Sequence, residues 1–404
     1  MANTYMTHDM VAKIAAVSLT NKTVGLNIVN RDYDSEFKPS GKGDTVRVRV
    51  LGDLRAYDGP DITSNGDDQY LTESYVSVQL EKDKVVPVTI TNKELTLEIE
   101  DFQKQVTDQQ MIPMADVLDS YIFGDLTLLC PNIVGEPGID PASDEVVSDA
   151  SVRLTEMGCP GEDRNFVLNP KARGSLAQYI KATSNQQIAA DAIRRGFVGR
   201  TADMAFWESN NVSRHTNGSF DGTPIVMGAS QTGATVVLDG FGGAVSGVLL
   251  KGDIIELAGC YAVKPVSGEA LPYLRQFVVT ADVDSVATGT GQATVPIYPS
   301  IDVTVPGKTC SASPTNDGAV TLIGGASETY ARNVACHKRA ITFATAPLAP
   351  LRGGSVSHHV SLDGISLLYS AGDDIKVRHT IMRYDCLFGG LLVNPNMCCL
   401  IAGK

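Results

Sequence analysis

Residues 61–73 read DITSNGDDQYLTE, and their carboxylate and amide side chains could bind calcium. Asp, Asn, Gly and Asp stand at the first, fifth, sixth and seventh positions, as in a twelve-residue EF-hand loop. The match fails at the third position, which is Thr63, and at the twelfth, which is Thr72, because Glu73 comes one residue too late to be the bidentate ligand. An EF-hand loop also joins two helices, whereas strand-like alternation flanks this segment. We therefore interpret it as the acidic tip of a long β-hairpin and predict no metal site.

The cysteines and histidines do not form a recognisable ligand set. The chain has 8 cysteines, none in a CxxC pair, and the closest neighbours are Cys398–Cys399, Cys336–His337 and His358–His359. Adjacent side chains on a strand point to opposite faces of the sheet and do not easily share a metal ion. Eight cysteines in 404 residues are also too sparse for a disulfide scaffold. We predict buried free thiols, surface histidines and no cofactor.

Catalytic motifs are missing. The sequence has no GxSxG elbow, no GxxxxGK[ST] phosphate loop, no HExxH and no GxGxxG that opens a helix. The carboxylate pairs Asp67–Asp68 and Asp373–Asp374 are sequence neighbours, which are usually solvated loop residues. The sequence therefore predicts that the protein is not an enzyme, and a hydrolase with an unrecognised site is kept as a lesser alternative.

Composition indicates a β-rich chain of two or three domains. The 404 residues include 38 glycines and few aromatic residues, and 43% are hydrophobic. No apolar run approaches the ~18 residues that a membrane-spanning helix needs, so we expect no membrane span. The amino terminus has no basic leader, which predicts folding in a reducing cytoplasm. A net charge of −13 argues against wrapping by nucleic acid but permits one face to lie near it.

The first third predicts an arm, a hairpin and a long helix. Residues 8–30 have helical spacing, and TVRVRV (residues 45–50) and SYVSVQLEKDKVVPVTIT (residues 74–91) alternate like half-buried strands. Residues 100–129 predict a helix that Pro113 either kinks or begins. Its apolar stripe consists of Met111, Ala115, Leu118, Ile122, Leu126 and Leu129.

The rest of the chain predicts a mixed α and β domain with an all-β insertion. NFVLNPKARGSLAQYI reads as a strand, a turn at Asn169–Pro170 and a helix. After about residue 217 the sequence predicts the short strands ATVVL, DIIELAG, RQFVVTADV, ATVPIY, IDVTVPG and AVTLI, as in a small barrel or sandwich. Long strands return after residue 340, which indicates that the β segment is inserted into a parent domain.

Several stretches resemble tailed-phage major capsid (coat) proteins of the HK97 fold. They are FVLNPKARGSLAQY, GRTADMAFWESNNV and CHKRAITFATAPL, while LLKGDIIELAGCYAVKP followed by LRQFVVTADV is similar to the inserted β-barrel found in coat proteins of short-tailed phages. The resemblance covers about residue 5 to the end. It implies an α+β, HK97-like capsid fold with an inserted small β-barrel domain.

The resemblance also implies the domain boundaries. They are an amino-terminal arm (1–44), an extended β-hairpin loop (45–80), a peripheral domain with the spine helix (81–130), the first part of the axial domain (131–217), the inserted β-barrel (218–340) and closing axial and peripheral strands (341–404). The implied partners are copies of the chain as hexamers and pentamers, portal and scaffolding proteins, packaged double-stranded DNA on the inner face without sequence specificity, and, as an open candidate, a cement protein. The implied location is the virion capsid, assembled in the host bacterial cytoplasm.

In that family the extended loop lies over a neighbouring subunit. The residues implied to make intersubunit contacts here are Arg47, Arg49, Arg55, Asp58, Asp61, Asp67, Asp68 and Glu73. Some members link this loop covalently through a lysine, but no lysine lies between Gly43 and Glu81, so the overlap is expected to be non-covalent. The barrel segment GASQTGATVVLDGFGGAVSG is short and holds only Asp239, which leaves stabilisation of the subunit as the role implied for the barrel.

A β-rich, calcium-dependent adhesin or binding module is the alternative from another functional class. It draws on the imperfect acidic loop and the strand-rich insertion. The lack of a secretion signal and of repeated Asp loops counts against it. Closed shells of megadalton mass would separate the capsid interpretation from this one.

Overall fold

The structure is a computed structural model that describes residues 8–32, 45–51, 73–91, 103–183, 200–201, 204–304, 307–350, 356–362, 364–374, 376 and 379–403. The chain forms two compact units. The first comprises Met1–Val48, Tyr75–Ile122 and Ile341–Val393, and the second comprises Arg49–Ser74, Phe123–Ala340 and Asn394–Lys404.

The α-helices of the described residues are α1 (His8–Lys22), α2 (Gly25–Ile28), α3 (Asp108–Ser120), α4 (Asp144–Glu156) and α5 (Pro170–Thr183). Turns of π-helix, Gln103–Thr107 and Tyr121–Leu126, extend α3 at both ends. The long helix predicted over residues 100–129 is therefore confirmed between residues 103 and 126, with Pro113 inside α3 rather than at its start. The predicted stripe is buried from Met111 to Leu126, whereas Leu129 follows the helix and is half-buried.

The strands up to the barrel are β1 (Thr45–Leu51), β2 (Glu73–Gln79), β3 (Lys82–Thr91), β4 (Ile133–Val134), β5 (Arg164–Leu168), β6 (Arg200–Thr201), β7 (Met204–Glu208) and β8 (Arg214–Thr216). Those of the barrel and its exit are β9 (Ile225–Val226), β10 (Gly233–Asp239), β11 (Ile254–Val263), β12 (Ala270–Val279), β13 (Ala293–Ile301), β14 (Val320–Leu322) and β15 (Thr329–Ala331). The last are β16 (Asn333–His337), β17 (Ile341–Ala346), β18 (Val356–Leu362), β19 (Ile365–Asp374), β20 (His379–Leu392) and β21 (Cys398–Ile401).

Strand β20 organises the sheet of the first unit. One edge of β20 pairs antiparallel with β3, from His379 opposite Thr91 to Phe388 opposite Lys82. The other edge of β20 pairs with β19 along residues 379–385 and with β17 along residues 387–392. Strand β18 pairs with the outer edge of β19. Helix α1 contacts β18, β19 and α3, so the apolar sides of both helices are buried. Their buried residues include Val11, Ala12, Ala15, Ala16 and Leu19 of α1 and Met111, Met114, Ala115 and Leu118 of α3.

The parent sheet of the second unit has the strand order β4-β21-β16-β5-β7-β6. Strand β5 runs parallel to β7, and β16 is antiparallel to both β5 and β21. Helices α4 and α5 contribute Val146, Val147, Ala150, Leu154, Ala172 and Leu176 to a core shared with this sheet. The predicted turn before α5 is instead a helix cap, because the Asn169 side-chain oxygen accepts a hydrogen bond from Ala172 N at 2.7 Å.

The insertion forms a six-stranded barrel in the order β14-β11-β12-β13-β10-β9. A bridge between Ile225 and Ala319 joins its two end strands. The interior is apolar and includes Val236, Leu238, Phe241, Ile255, Leu257, Phe277, Val279, Val295 and Ile297. The strand predicted at IDVTVPG is wrong, because β13 ends at Ile301 and the Asp302 carboxylate then accepts bonds from Thr304 N and Oγ1, which turns the chain.

A buried carboxylate orders the start of α2 in the first unit. Asp119 of α3 is 3% exposed, and its carboxylate accepts hydrogen bonds from Val24 N at 3.0 Å and Gly25 N at 2.9 Å. Burial raises the pKa of Asp119 to about 6, against the opposing effect of these two hydrogen bonds. A raised carboxyl pKa means that the folded chain holds a proton which the unfolded chain has already released. This contribution to stability is full below about pH 4 and is lost as the pH rises through 6.

We predict that the stability difference between the wild-type protein and Asp119→Asn depends on pH. When the pH is lowered from 7 to 4, the free energy of unfolding of the wild type should rise by up to about 3 kcal/mol relative to that of the variant. One pKa unit corresponds to about 1.4 kcal/mol. Urea unfolding at pH 7, 5.5 and 4 measures this. Asp83→Asn, which removes an exposed carboxylate of the same unit, serves as the control and should show no such trend. A constant difference for Asp119→Asn would contradict the assignment.

Candidate self-assembly surface

Strands β1 and β2 form the two-stranded ribbon at the base of the predicted extended loop. Arg47 lies on β1 with an exposed side chain, and the next residue, Val48, is 3% exposed. On β2, Tyr75 and Ser77 are exposed while Val78 is buried. The alternation read from the sequence is thus present, and it directs the Arg47 guanidinium into solvent.

The other predicted contact residues are less fully described. Arg49 belongs to β1 and Glu73 to β2, which places both on the ribbon. Five predicted residues lie outside the described residues, namely Arg55, Asp58, Asp61, Asp67 and Asp68. The intersubunit role of all eight stays a prediction.

The chain that leaves β2 is held tightly against β20. Leu80 packs against Ala344, Ala346 and Leu387. Gly389 of β20 passes directly beneath, where an added Cβ would lie 2.9 Å from the Leu80 Cα. Only a residue without a side chain fits at this crossing, so Gly389 fixes where the ribbon emerges from the sheet.

The hydroxyl of Tyr121 ties the long helix to the same part of β20. It accepts a hydrogen bond from Gly390 N at 3.1 Å and donates one to Gly390 O at 3.4 Å. Its ring meets Phe388 edge-on, with the centroids 5.2 Å apart. The end of the long helix and the residue that follows β2 are therefore both held against the same segment of β20.

One face of the sheet in the first unit carries exposed apolar side chains that the sequence analysis missed. Val85 is 46% and Ile381 is 43% exposed. The pairing of Ile381 with Thr89, and of Asp385 with Val85, places them on one face. Arg383 lies between them and forms a two-bond ion pair with the buried Asp385 carboxylate, with Nη2 2.6 Å from Oδ1 and Nε 2.9 Å from Oδ2. An ordered ion pair beside apolar groups suits a protein contact.

Among the described residues, no group of three or more histidine, cysteine or acidic side chains is arranged to hold a metal ion. All eight cysteines are buried as free thiols, and burial raises the pKa of Cys336 to about 12. The prediction of surface histidines is wrong for His337, which is 4% exposed. Its Nδ1 accepts a bond from Arg339 N, and burial lowers its pKa. No helix in the described part of the chain is both long and apolar enough to cross a membrane.

A two-stranded ribbon, a long helix on a sheet and a barrel inserted into a second domain are the elements expected of a capsid subunit with the HK97 fold. The chain matches the family described as "P22 coat protein - gene protein 5" over residues 29–402, and it belongs to this family. It is therefore a phage coat protein, a structural subunit of the virion shell and not an enzyme. No curated protein matches it.

Solved phage structures are similar at low sequence identity. A structure titled "Mycobacterium phage Che8" shares 13% identity, with 94% of this chain and 90% of that chain covered, at a TM-score of 0.48. "Capsid of Ralstonia phage GP4" shares 11%, with 89% and 83% covered and a TM-score of 0.46. "Capsid structure of the Cyanophage P-SCSP1u" shares 10%, with 90% and 84% covered and a TM-score of 0.41.

Family membership and the inserted barrel confirm the two main sequence predictions. The tailed-phage coat protein assignment is correct, and so is the α+β capsid fold with an inserted β-barrel. Neither finding supports the calcium-dependent adhesin.

We predict that Gly389→Ala displaces the base of the ribbon, because the new Cβ meets backbone rather than a movable side chain. The expected cost is about 1–3 kcal/mol of subunit stability, as for other overpacked sites, together with fewer regular shells. Urea unfolding and negative-stain imaging measure the two effects. Gly174→Ala is the matched control, since an added Cβ there meets no atom within 4 Å, and it should assemble normally. Equal behaviour of both variants would contradict this role for Gly389.

Proposed function

We propose that the chain forms hexamers and pentamers, and that these close into an icosahedral shell around a double-stranded DNA genome. Subunits are held by non-covalent overlap of the extended loop (45–80) and the arm (1–44) with neighbouring copies. The observation that carries this proposal is the exposed Arg47 on a ribbon whose base is fixed by Gly389 and Tyr121. A rigid base lets an extended segment reach the same place on every neighbour, as repeated contacts in closed symmetry require.

The loop offers both signs of charge to its neighbours. In the sequence of the loop, the basic residues come first and the acidic residues follow: Arg47, Arg49 and Arg55, then Asp58, Asp61, Asp67, Asp68 and Glu73. Each exposed ion pair contributes only about 0–1 kcal/mol, but the contact recurs in every copy and charge complementarity fixes its register. The exposed apolar face around Val85 and Ile381 supplies a surface on which burial adds to these contacts.

The boundaries proposed for the remaining parts follow the family resemblance. The peripheral domain spans 81–130, the axial domain begins at 131–217, the inserted barrel spans 218–340, and 341–404 closes both parent domains. Portal and scaffolding proteins are proposed as assembly partners, a cement protein is an open candidate, and assembly takes place in the host cytoplasm. The net charge of −13 suits an inner face that holds DNA without adhering to it.

The barrel is proposed to stabilise the subunit, since it shares a close contact with its parent domain in the second unit. The Arg153 guanidinium of α4 lies 3.7 Å from the centre of the Tyr273 ring on β12. The Gln276 side-chain oxygen accepts a bond from Ile133 N at 2.8 Å. Buried Arg275 donates to the Asn396 side-chain oxygen at 3.0 Å. Strand β12 thus completes hydrogen bonds that the parent domain would otherwise leave to water.

We predict that deletion of residues 57–70 abolishes regular shells without unfolding the subunit, because the deletion shortens the loop beyond its anchored base. The intact chain and the deletion variant are expressed with the neighbouring phage genes and compared by negative-stain imaging. Closed shells from the intact chain and none, or misshapen ones, from the variant are expected. Normal shells from the variant would overturn the role of the loop.

Charge reversal at one position tests the ribbon more finely. Arg47→Glu should raise the protein concentration needed for assembly about fivefold, the equivalent of about 1 kcal/mol per contact. Light scattering over a concentration series measures this threshold. Lys251→Glu reverses an exposed cation on the barrel and should leave it unchanged. Identical thresholds for both variants would remove Arg47 from the contact.

A further inference from the structure

The chain enters and leaves the barrel through a short ribbon in the second unit. Strands β8 and β15 pair antiparallel there, with His215 opposite Tyr330. Arg332 directly follows β15, and its backbone N–H donates to Ser213 O at 2.9 Å. We call this ribbon together with Arg332 the neck.

A buried arginine binds the neck to two other parts of the second unit. The side chain of Arg332 is 1% exposed. Nη2 donates to Thr127 O at 3.2 Å and to Leu128 O at 3.0 Å, and Nη1 donates to Gly252 O at 3.4 Å. The first two carbonyls directly follow the last turn of the long helix, and the third belongs to the turn that opens β11 of the barrel.

This arrangement satisfies groups that need a donor. Carbonyls at the end of a helix lack intrahelical partners, and a guanidinium supplies several N–H groups in one plane. Thr127 O also accepts a bond from Cys130 N at 3.1 Å, so Arg332 is its second donor. Ser213, which directly precedes the neck, donates from its hydroxyl to Phe123 O at 2.9 Å, and the same carbonyl accepts a bond from Thr127 Oγ1 at 2.7 Å. Residues of the neck and the adjoining Ser213 therefore add hydrogen bonds at the end of the helix to those that the local chain already makes there.

A buried aspartate makes the matching connection from the barrel. Asp253 is fully buried, and its carboxylate accepts bonds from His215 Nε2 at 2.7 Å, Gly218 N at 3.0 Å and Leu250 N at 2.8 Å. The preceding Gly252 has a φ of +102°, and an added Cβ would lie 2.6 Å from the Leu128 side chain. The turn of the barrel therefore presses against the end of the helix without space between them.

We propose that Arg332 and Asp253 form a buried junction that makes the barrel and its parent domain fold and unfold as one cooperative unit. The inference rests on the proposed stabilising role of the barrel and names the contact through which that role is exerted. A buried charge with one partner removed is costly, so the parent domain is destabilised when the junction is broken. The apolar core of the barrel is complete within itself, so the barrel persists when the junction is lost.

The single tryptophan provides a probe for the parent domain alone. Trp207 lies on β7 and donates from Nε1 to the Asn165 side-chain oxygen at 2.9 Å. Its fluorescence reports unfolding of the parent sheet, while hydrogen exchange of β11, β12 and β13 reports unfolding of the barrel. Coincident urea transitions from the two probes indicate one cooperative unit.

The experiment compares the unassembled wild-type subunit with Arg332→Met and with Arg214→Met. Arg214 is an exposed arginine on the same neck and is the matched control. The wild type and Arg214→Met should show coincident transitions at one urea concentration. Arg332→Met should move the Trp207 transition down by about 1 M urea or more while the barrel keeps its exchange protection. Where Arg332→Met gives no folded protein, Arg332→Lys, which keeps the charge without the planar fork, should show the same separation.

Coincident transitions in the Arg332 variant, or separate ones in the wild type, would overturn the junction. A chain in which residues 225–322 are replaced by a short linker tests the underlying role of the barrel. If that chain gives the same Trp207 transition as the wild type, the barrel does not stabilise the subunit. If its transition is lowered but Arg332→Met retains a single transition, the stabilising role stands and the junction fails.

Discussion

The antiparallel pairing of β3 with β20 is the constraint on which the rest of the first unit depends. It joins residues 82–91 to residues 379–388, which lie about three-quarters of the chain apart in sequence. Closing so long a loop costs conformational entropy that local contacts do not recover, so the ladder and the helices packed beside it must form together. The same ladder sets the position of Gly389, and through Gly389 the place where the ribbon emerges. This pairing between distant parts of the chain thus decides where the extended loop can reach.

In the second unit, the inserted barrel constrains the path of the chain in a similar way. The parent sheet uses β21, from the end of the chain, next to β16, which follows the barrel. The barrel must therefore return the chain close to where it departed. The neck does this with the six residues of β8 and β15 followed by the buried Arg332, and the buried Asp253 lies beside it. Insertions are tolerated where the two chain ends meet, and here the meeting point is itself part of the folded core.

Local patterns in the sequence predicted those parts of the fold that depend on near neighbours. Alternation identified β1, β2 and β3, helical spacing identified the long helix, and a change in composition identified the inserted β segment. The π-helical turns beside α3, the closure of the barrel and the burial of Arg332 depend on partners far away in sequence, which no local pattern encodes. IDVTVPG alternates like a strand, yet the Asp302 carboxylate accepts a hydrogen bond from Thr304 N and so turns the chain. For the candidate surface, Arg47 was predictable from alternation, whereas the face around Val85 and Ile381 became visible only with the register of β3 against β20.

The burial of every cysteine has a practical consequence for particles made of this protein. All eight thiols are inside the fold, so the native subunit presents no sulfur nucleophile at its surface. A single cysteine introduced at an exposed position would be the one site that a maleimide reagent finds on each copy. Because the shell repeats the subunit many times, one substitution would give a regular array of attachment points for dyes, antigens or electron-dense labels.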